Sequence, residues 1–207
     1  IRQPIFKLAT HYWEARWLQE MNNTLWAGRP DRMYYQNYNS VQELDKVFSR
    51  RAMLTPLFVS TFHSLPKHLS YKNKYESGSA FNFADLLIVD EAGQVAPEVG
   101  AIGFAFAKRA LVVGDTKQIE PVWNVPKNKD FFLSKEFGLS KEDLMGFDAS
   151  FRENLSSASG SIMKMAQNAS RRHTDPSLGR GMHLDEHRRG YDEIIQFCSD
   201  LCYQGKL

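Results

Sequence analysis

Two short apolar runs that each end in acids constrain this chain more than any other feature. Leu86-Leu87-Ile88-Val89 runs into Asp90-Glu91, and Ala110-Leu111-Val112-Val113 runs into Gly114-Asp115. Each run is too short for a helix and has the unbroken apolar character of a strand buried on both faces. Between them, Pro97 to Lys108 carries Val99, Ile102, Phe104 and Phe106 at roughly helical intervals, and Pro97 suits a helix's first turn. Strand, helix and strand in this order make a βαβ unit, so the strands are expected to be parallel with a right-handed crossover. Open parallel sheets bind ligands beyond the carboxyl ends of their strands, where this chain places Asp90, Glu91 and Asp115.

A buried strand that empties into adjacent carboxylates is costly unless a cation or a water network uses them. Metal-assisted phosphoryl transfer fits: one carboxylate holds Mg2+ while a neighbouring group positions or deprotonates the attacking water. Asp90 would serve the metal and Glu91 the water. Taken as an isolated pair, the same residues also read as a helix cap and a solvated acid.

The longer strings narrow the choice. Asp90-Glu91-Ala92-Gly93-Gln94, followed at the next strand edge by Gly114-Asp115-Thr116-Lys117-Gln118-Ile119-Glu120-Pro121, resembles motifs II and III of superfamily 1 helicases. The branch is that of the RNA-surveillance and replication-linked (Upf-like) helicases, which carry Asp-Glu-Ala-x-Gln. A third block, Leu184-Asp185-Glu186-His187-Arg188-Arg189 followed by Ile194, Phe197, Tyr203, Gly205 and Leu207, looks like that branch's motif IV. It departs from the usual Gln-Tyr-Arg-Met at Glu186, His187 and Arg189. Val59-Ser60-Thr61 is similar to the short Ser/Thr motif ahead of motif II, and the Trp-rich stretch His11 to Trp17 is similar to bacterial members of the group.

The resemblance implies an α/β fold: a RecA-like parallel sheet of the P-loop NTPase type, flanked by helices and incomplete at its N-terminus. It implies ATP and Mg2+ as cofactors and single-stranded DNA or RNA as partner, with ATP hydrolysis driving translocation. Asp90 would bind the metal, Glu91 the catalytic water, and Gln94 would link the nucleotide to neighbouring motifs. Gly114 and Asp115 would face the nucleotide, with Asp115 and Gln118 sensing the γ-phosphate. Arg188 would reach that phosphate from a second RecA-like domain, and Thr61 would contact nucleic acid.

None of the 13 glycines starts a Gly-x-x-x-x-Gly-Lys-Ser/Thr loop, the usual phosphate cradle. With Ile1 rather than Met at the start, the expectation is a fragment whose phosphate loop and remaining second-domain motifs lie in the rest of the same polypeptide. The alternative is a non-catalytic nucleic-acid-binding or assembly module that keeps the motor fold. The expected divisions are a helical segment over 1–54, the first RecA-like core over 55–169, a linker over 170–181 and the start of the second domain over 182–207.

A net charge of +2 confines any nucleic-acid site to a local patch. No apolar run approaches the roughly 18 residues of a membrane span, and the start lacks the order of a signal peptide, so no membrane partner and an intracellular, cytoplasmic setting are expected. Cys198 and Cys202, four apart on a helical pattern with Ile194, Ile195 and Leu201, read as reduced and buried; with His183 and His187 they also have spacings that zinc uses. Trp123 either stacks on a base or packs beneath the lysine-rich loop. Arg171, Arg172, His173 and Arg180 read as a solvated linker or as phosphate contacts.

Other expectations are structural. Ile5, Leu8, Ala9, Tyr12, Trp13, Leu18 and Met21 predict a long amphipathic helix, with Trp13, Trp17 and Trp26 in the core or packed on missing domains. Ser40 and Glu43 form a capping-box pattern before a second helix. Leu57 to Val59 reads as a buried strand, Pro126 to Lys141 as a surface loop with a short helix after Ser140, Ser157 to Ala169 as a helix, and Met182 to Leu184 as a short strand.

Overall fold

Ser40 starts a helix with the expected cap: its hydroxyl oxygen accepts the Glu43 N–H at 3.2 Å. Glu43 reaches back to Asn39, taking the backbone N–H at 2.8 Å and the side-chain amide at 3.1 Å, so the reciprocal arm closes one residue earlier than in the simplest box. The computed structural model describes residues 2–26, 38–138, 153–173, 178–184, 186 and 190–206. It divides the chain into two units, Ile1–Leu87 with Ile102–Arg109, and Ile88–Ala101 with Ala110–Leu207.

In the first unit, helix α1 (Arg2–Trp26) is followed by α2 (Val41–Ala52), the short α3 (Leu65–His68) and an antiparallel hairpin of β1 (Ser70–Lys72) and β2 (Ser77–Ser79). Asn73 makes the turn, its side-chain oxygen accepting the N–H groups of Tyr75 and Glu76. The core gathers Tyr38, Leu44, Val47, Leu69, Ala80 and Phe106, with Val41, Phe48, Leu65, Tyr71 and Phe83 against it. Phe48 makes edge-to-face contacts with both Phe58 and Phe83, and Phe81 stacks on Phe106.

The expected strand–helix–strand unit is present as β3 (Leu87–Val89), α4 (Pro97–Ala105) and β4 (Ala110–Val112), the two strands forming a parallel pair. In the second unit a single 3-10 turn, Ala92–Gln94, follows β3, and beyond β4 come α5 (Lys127–Glu136), α6 (Ile162–Ala169) and α7 (Asp192–Cys202). Helix α6 packs on the 3-10 turn and on β4. Its first residue, Ile162, is fully buried and donates its N–H to Val95 at 2.9 Å. Ser161 caps it by accepting the Lys164 N–H at 3.2 Å.

Several expectations are corrected. Leu57–Val59 is exposed chain without strand pairing, because a strand exists only through a partner and this run follows Pro56 with none beside it among the described residues. In β3 and β4 only Val89 is buried, whereas Ile88 and Leu111 are about half exposed, as befits a sheet of two strands. Helix α1 forms but presents Ile5, Phe6, Leu8, Tyr12, Trp13 and Leu18 to solvent, with Trp17 and Met21 half-buried, so Trp13 is not a core residue.

The lysine-rich segment after Pro126 is helical, since Lys is a good helix former and the interruption comes only at Gly138, whose φ is +69°. Its Asp130 carboxylate accepts the Ser156 hydroxyl at 2.7 Å and the Ser157 N–H at 3.1 Å. Those turn residues hold the helix start back to Ile162. Met182 to Leu184 forms no strand; the pairing nearby is a single parallel bridge between His173 and Gly181. The helix expected after Ser140 lies outside the described residues.

Candidate nucleotide edge

Parallel pairing brings the ends of β3 and β4 side by side, and both ends belong to the second unit. Val113 donates its N–H to Val89 at 2.8 Å, and Ala92 donates its N–H to Val113 at 2.9 Å, so the ladder continues past the strands into the 3-10 turn. Two glycines permit this. A β-carbon on Gly93 would overlap the Asp115 carbonyl oxygen, and one on Gly114 would lie 2.8 Å from the nitrogens of Ala92 and Gly93. Here glycine is required for close backbone approach.

The edge so formed carries the acids. Asp90 is exposed, and its Oδ1 accepts the Glu91 N–H at 3.0 Å. Glu91 has left-handed backbone, φ 52° and ψ 39°, an unusual conformation for a non-glycine residue and one that concentrates at functional sites. The Gln94 side-chain amide donates to Glu91 Oε2 at 3.2 Å, while the Gln94 N–H closes the 3-10 turn onto the Glu91 carbonyl.

Across the edge, Asp115 is half-buried and densely bonded. Its Oδ1 accepts the Lys117 N–H at 2.8 Å; its Oδ2 accepts the Gln118 side-chain amide at 2.9 Å and also the hydroxyl of Tyr203. Burial, aided by donation to Asp115 and by that carboxylate's charge, pushes the Tyr203 phenol up to about 12. Tyr203 carries no chemical role in the sequence reading, and 88 residues separate it from its partner.

Asp90, Glu91, Gln94, Gly114, Asp115 and Gln118 thus belong to one unit and line one strand edge. Thr61 belongs to the first unit, where its hydroxyl pairs with that of Ser64 at 2.8 Å. Trp123 donates its indole N–H to the Gly160 carbonyl at 2.9 Å, with the Lys164 ammonium 6.0 Å from the ring centroid. Lys164 also pairs with Glu120 at 3.0 Å. Arg188, with His187 and Arg189, lies outside the described residues.

Among the described residues no group of three His, Cys, Asp or Glu side chains is placed to hold a metal ion. Magnesium is often held by one or two carboxylates together with waters and substrate phosphates, and the exposed Asp90 carboxylate at an open strand end suits that donor set. Cys198 and Cys202 are free thiols, exposed rather than buried. Ser199, not either cysteine, is the inward residue of α7, so the apolar face of Ile194, Phe197 and Leu201 is the open one. Among the described residues no helix is long and apolar enough to cross a membrane. Comparison with protein-family models, curated proteins and solved structures gives no match to this chain.

Proposed function

We propose that the chain is part of the motor core of a superfamily 1 helicase, coupling ATP hydrolysis to translocation on single-stranded DNA or RNA, with a RecA-like fold completed by the rest of the polypeptide. One observation supports this above the others: Asp90-Glu91 and Gly114-Asp115 leave neighbouring parallel strands at the same edge, with glycines letting their backbones touch. Carboxylates at that edge have the chemistry of phosphoryl transfer.

In this reading Asp90 holds magnesium. The bound ion supplies charge neutralisation at the transferring phosphoryl group. Glu91 accepts a proton from the attacking water, and the Gln94 amide holds its carboxylate in place. Asp115 and Gln118, already hydrogen-bonded to each other, face the γ-phosphate as a pair.

Hydrolysis of ATP by the longer polypeptide, measured with and without single-stranded DNA or RNA, tests the proposal. Glu91→Gln should abolish turnover and leave nucleotide binding largely intact, because the amide preserves shape but takes no proton. An unsubstituted protein that binds nucleic acid and hydrolyses nothing would instead be a non-catalytic module.

A further inference from the structure

Asp115 is the convergence point of the candidate edge, and one of its three donors comes from far along the chain. Tyr203 caps the C-terminal end of α7, where its own N–H and that of Gly205 both return to the Ser199 carbonyl, at 2.9 and 3.0 Å. Ser199 is fully buried, so the end of the helix is anchored from below. A phenol on a capped, anchored helix end has little freedom, and its hydroxyl is spent on Asp115 Oδ2.

That oxygen also receives the Gln118 amide, while the other carboxylate oxygen receives the Lys117 N–H. The three donors fix the carboxylate's rotation. They also fix where Gln118 points, because its amide is tied to the same oxygen. Removing the Tyr203 donor loosens both side chains together.

We infer that Tyr203 is a positioning residue for the nucleotide edge: its hydroxyl holds the Asp115–Gln118 pair in working orientation and so ties the end of α7 to the chemistry of that edge. The inference rests on the nucleotide-hydrolysing reading. Tyr203 touches no reacting atom; it acts through Asp115 and through Gln118, whose side-chain amide also bonds the phenol. Loss of its hydroxyl therefore slows the chemical step and leaves the affinity for nucleotide nearly unchanged, because transition-state positioning is lost while ground-state binding is kept.

Tyr203→Phe removes one oxygen and keeps the ring, and it is compared in the longer polypeptide with Asp115→Asn and with the double substitution. The expected result is a kcat for ATP hydrolysis about tenfold lower in Tyr203→Phe, with KM within about twofold. The double substitution should be no slower than Asp115→Asn alone, since the two side chains act as one unit. Hydrogen exchange without nucleotide provides a second readout: the Lys117 amide, bonded to Asp115, should exchange several-fold faster in Tyr203→Phe, with protection in α6 unchanged.

Wild-type kinetics and wild-type Lys117 exchange in Tyr203→Phe would overturn the inference and leave the functional reading standing. A raised KM with kcat unchanged would overturn it too, by making Tyr203 a binding contact. An unsubstituted protein without ATP hydrolysis would overturn the functional reading itself, and with it the role given to Tyr203.

Discussion

The backbone of Gly93 lies against the Asp115 carbonyl so closely that any β-carbon at position 93 would overlap that oxygen. The clash is with backbone, which cannot swing aside as the tip of a side chain can. It would therefore push the 3-10 turn away from the strand end that carries Asp115. Gly93→Ala is expected to destabilise the chain by about 1–3 kcal/mol, the usual cost of overpacking. Urea unfolding of the two proteins measures this, and a difference below about 0.5 kcal/mol, the ordinary range of a surface substitution, would contradict the close approach.

Glu91 sits in the left-handed region with φ 52°, where a β-carbon is disfavoured. Glu91→Gly and Glu91→Ala lose the same contact with Gln94, so comparing them isolates the backbone. The glycine variant is expected to be the more stable by about 1 kcal/mol, because relief of strain outweighs the extra entropy of the unfolded glycine. Thermal unfolding decides the order, and an alanine variant that is more stable would mean that position 91 is not left-handed. The wild-type residue thus keeps a backbone strain that either Gly or Asn would lessen.

The parts of this structure legible in the sequence are those decided locally. Ser40 and Glu43 stand at cap spacing, and their bonds depend on little beyond four neighbouring residues. The β3–α4–β4 unit was readable because apolar run, proline-started helix and apolar run follow each other closely. Leu57–Val59 has the same composition and no pairing, since composition cannot supply a neighbouring strand. Periodicity likewise showed that α7 has an apolar face without showing what covers it; Ser199 turns inward and Ile194 outward. The bond from Tyr203 to Asp115 joins residues 88 apart, and nothing in the spacing of either hints at the other.

Exposure of the α7 face has a direct chemical consequence. Cys198 and Cys202 are free and accessible, so both should react with a thiol-specific reagent in the folded protein without prior unfolding. Counting modified thiols before and after adding denaturant measures this. Two equivalents are expected at once in the native state; a burst that appears only on unfolding would restore the buried arrangement that periodicity alone predicts.

Tyr203 gives the chain a stability signature at alkaline pH. Its phenol titrates at about 12 in the folded protein against an ordinary 10.0, mainly because burial disfavours the phenolate and, next, because the hydroxyl donates to Asp115. A group whose pKa is raised on folding contributes stability that is complete below its unfolded value. That contribution is lost as pH climbs from about 10 through about 12. The measurement is the difference between the wild-type protein and Tyr203→Phe, which isolates this one phenol. The wild type should lose stability more steeply over this range, and parallel pH profiles would show that Tyr203 is not held as described.

Trp123, expected either to stack on a base or to pack beneath the lysine-rich loop, is bonded to the turn ahead of α6, which sets a bracing role there against base stacking. Its indole N–H is already donated to Gly160 at 2.9 Å, and Lys164, which pairs with Glu120, stands over its ring. The carbonyl it satisfies belongs to a buried glycine just ahead of the Ser161 cap, so the indole braces the start of α6. Trp123→Phe keeps an aromatic ring that can stack on a base and removes the only donor. If the indole's main work is bracing, stability falls by about 1–2 kcal/mol, the cost of leaving that carbonyl unpaired. Affinity for single-stranded nucleic acid should then stay within about twofold, and Trp123→Ala should change it no further than its added loss of stability explains. A base-stacking role has the opposite signature: Trp123→Phe would be mild in both assays, whereas Trp123→Ala would weaken binding by the roughly 1–3 kcal/mol that one stacked base contributes. The hydrogen bond to Gly160 favours the first outcome, because an indole fixed by its N–H cannot turn its ring to follow a moving strand.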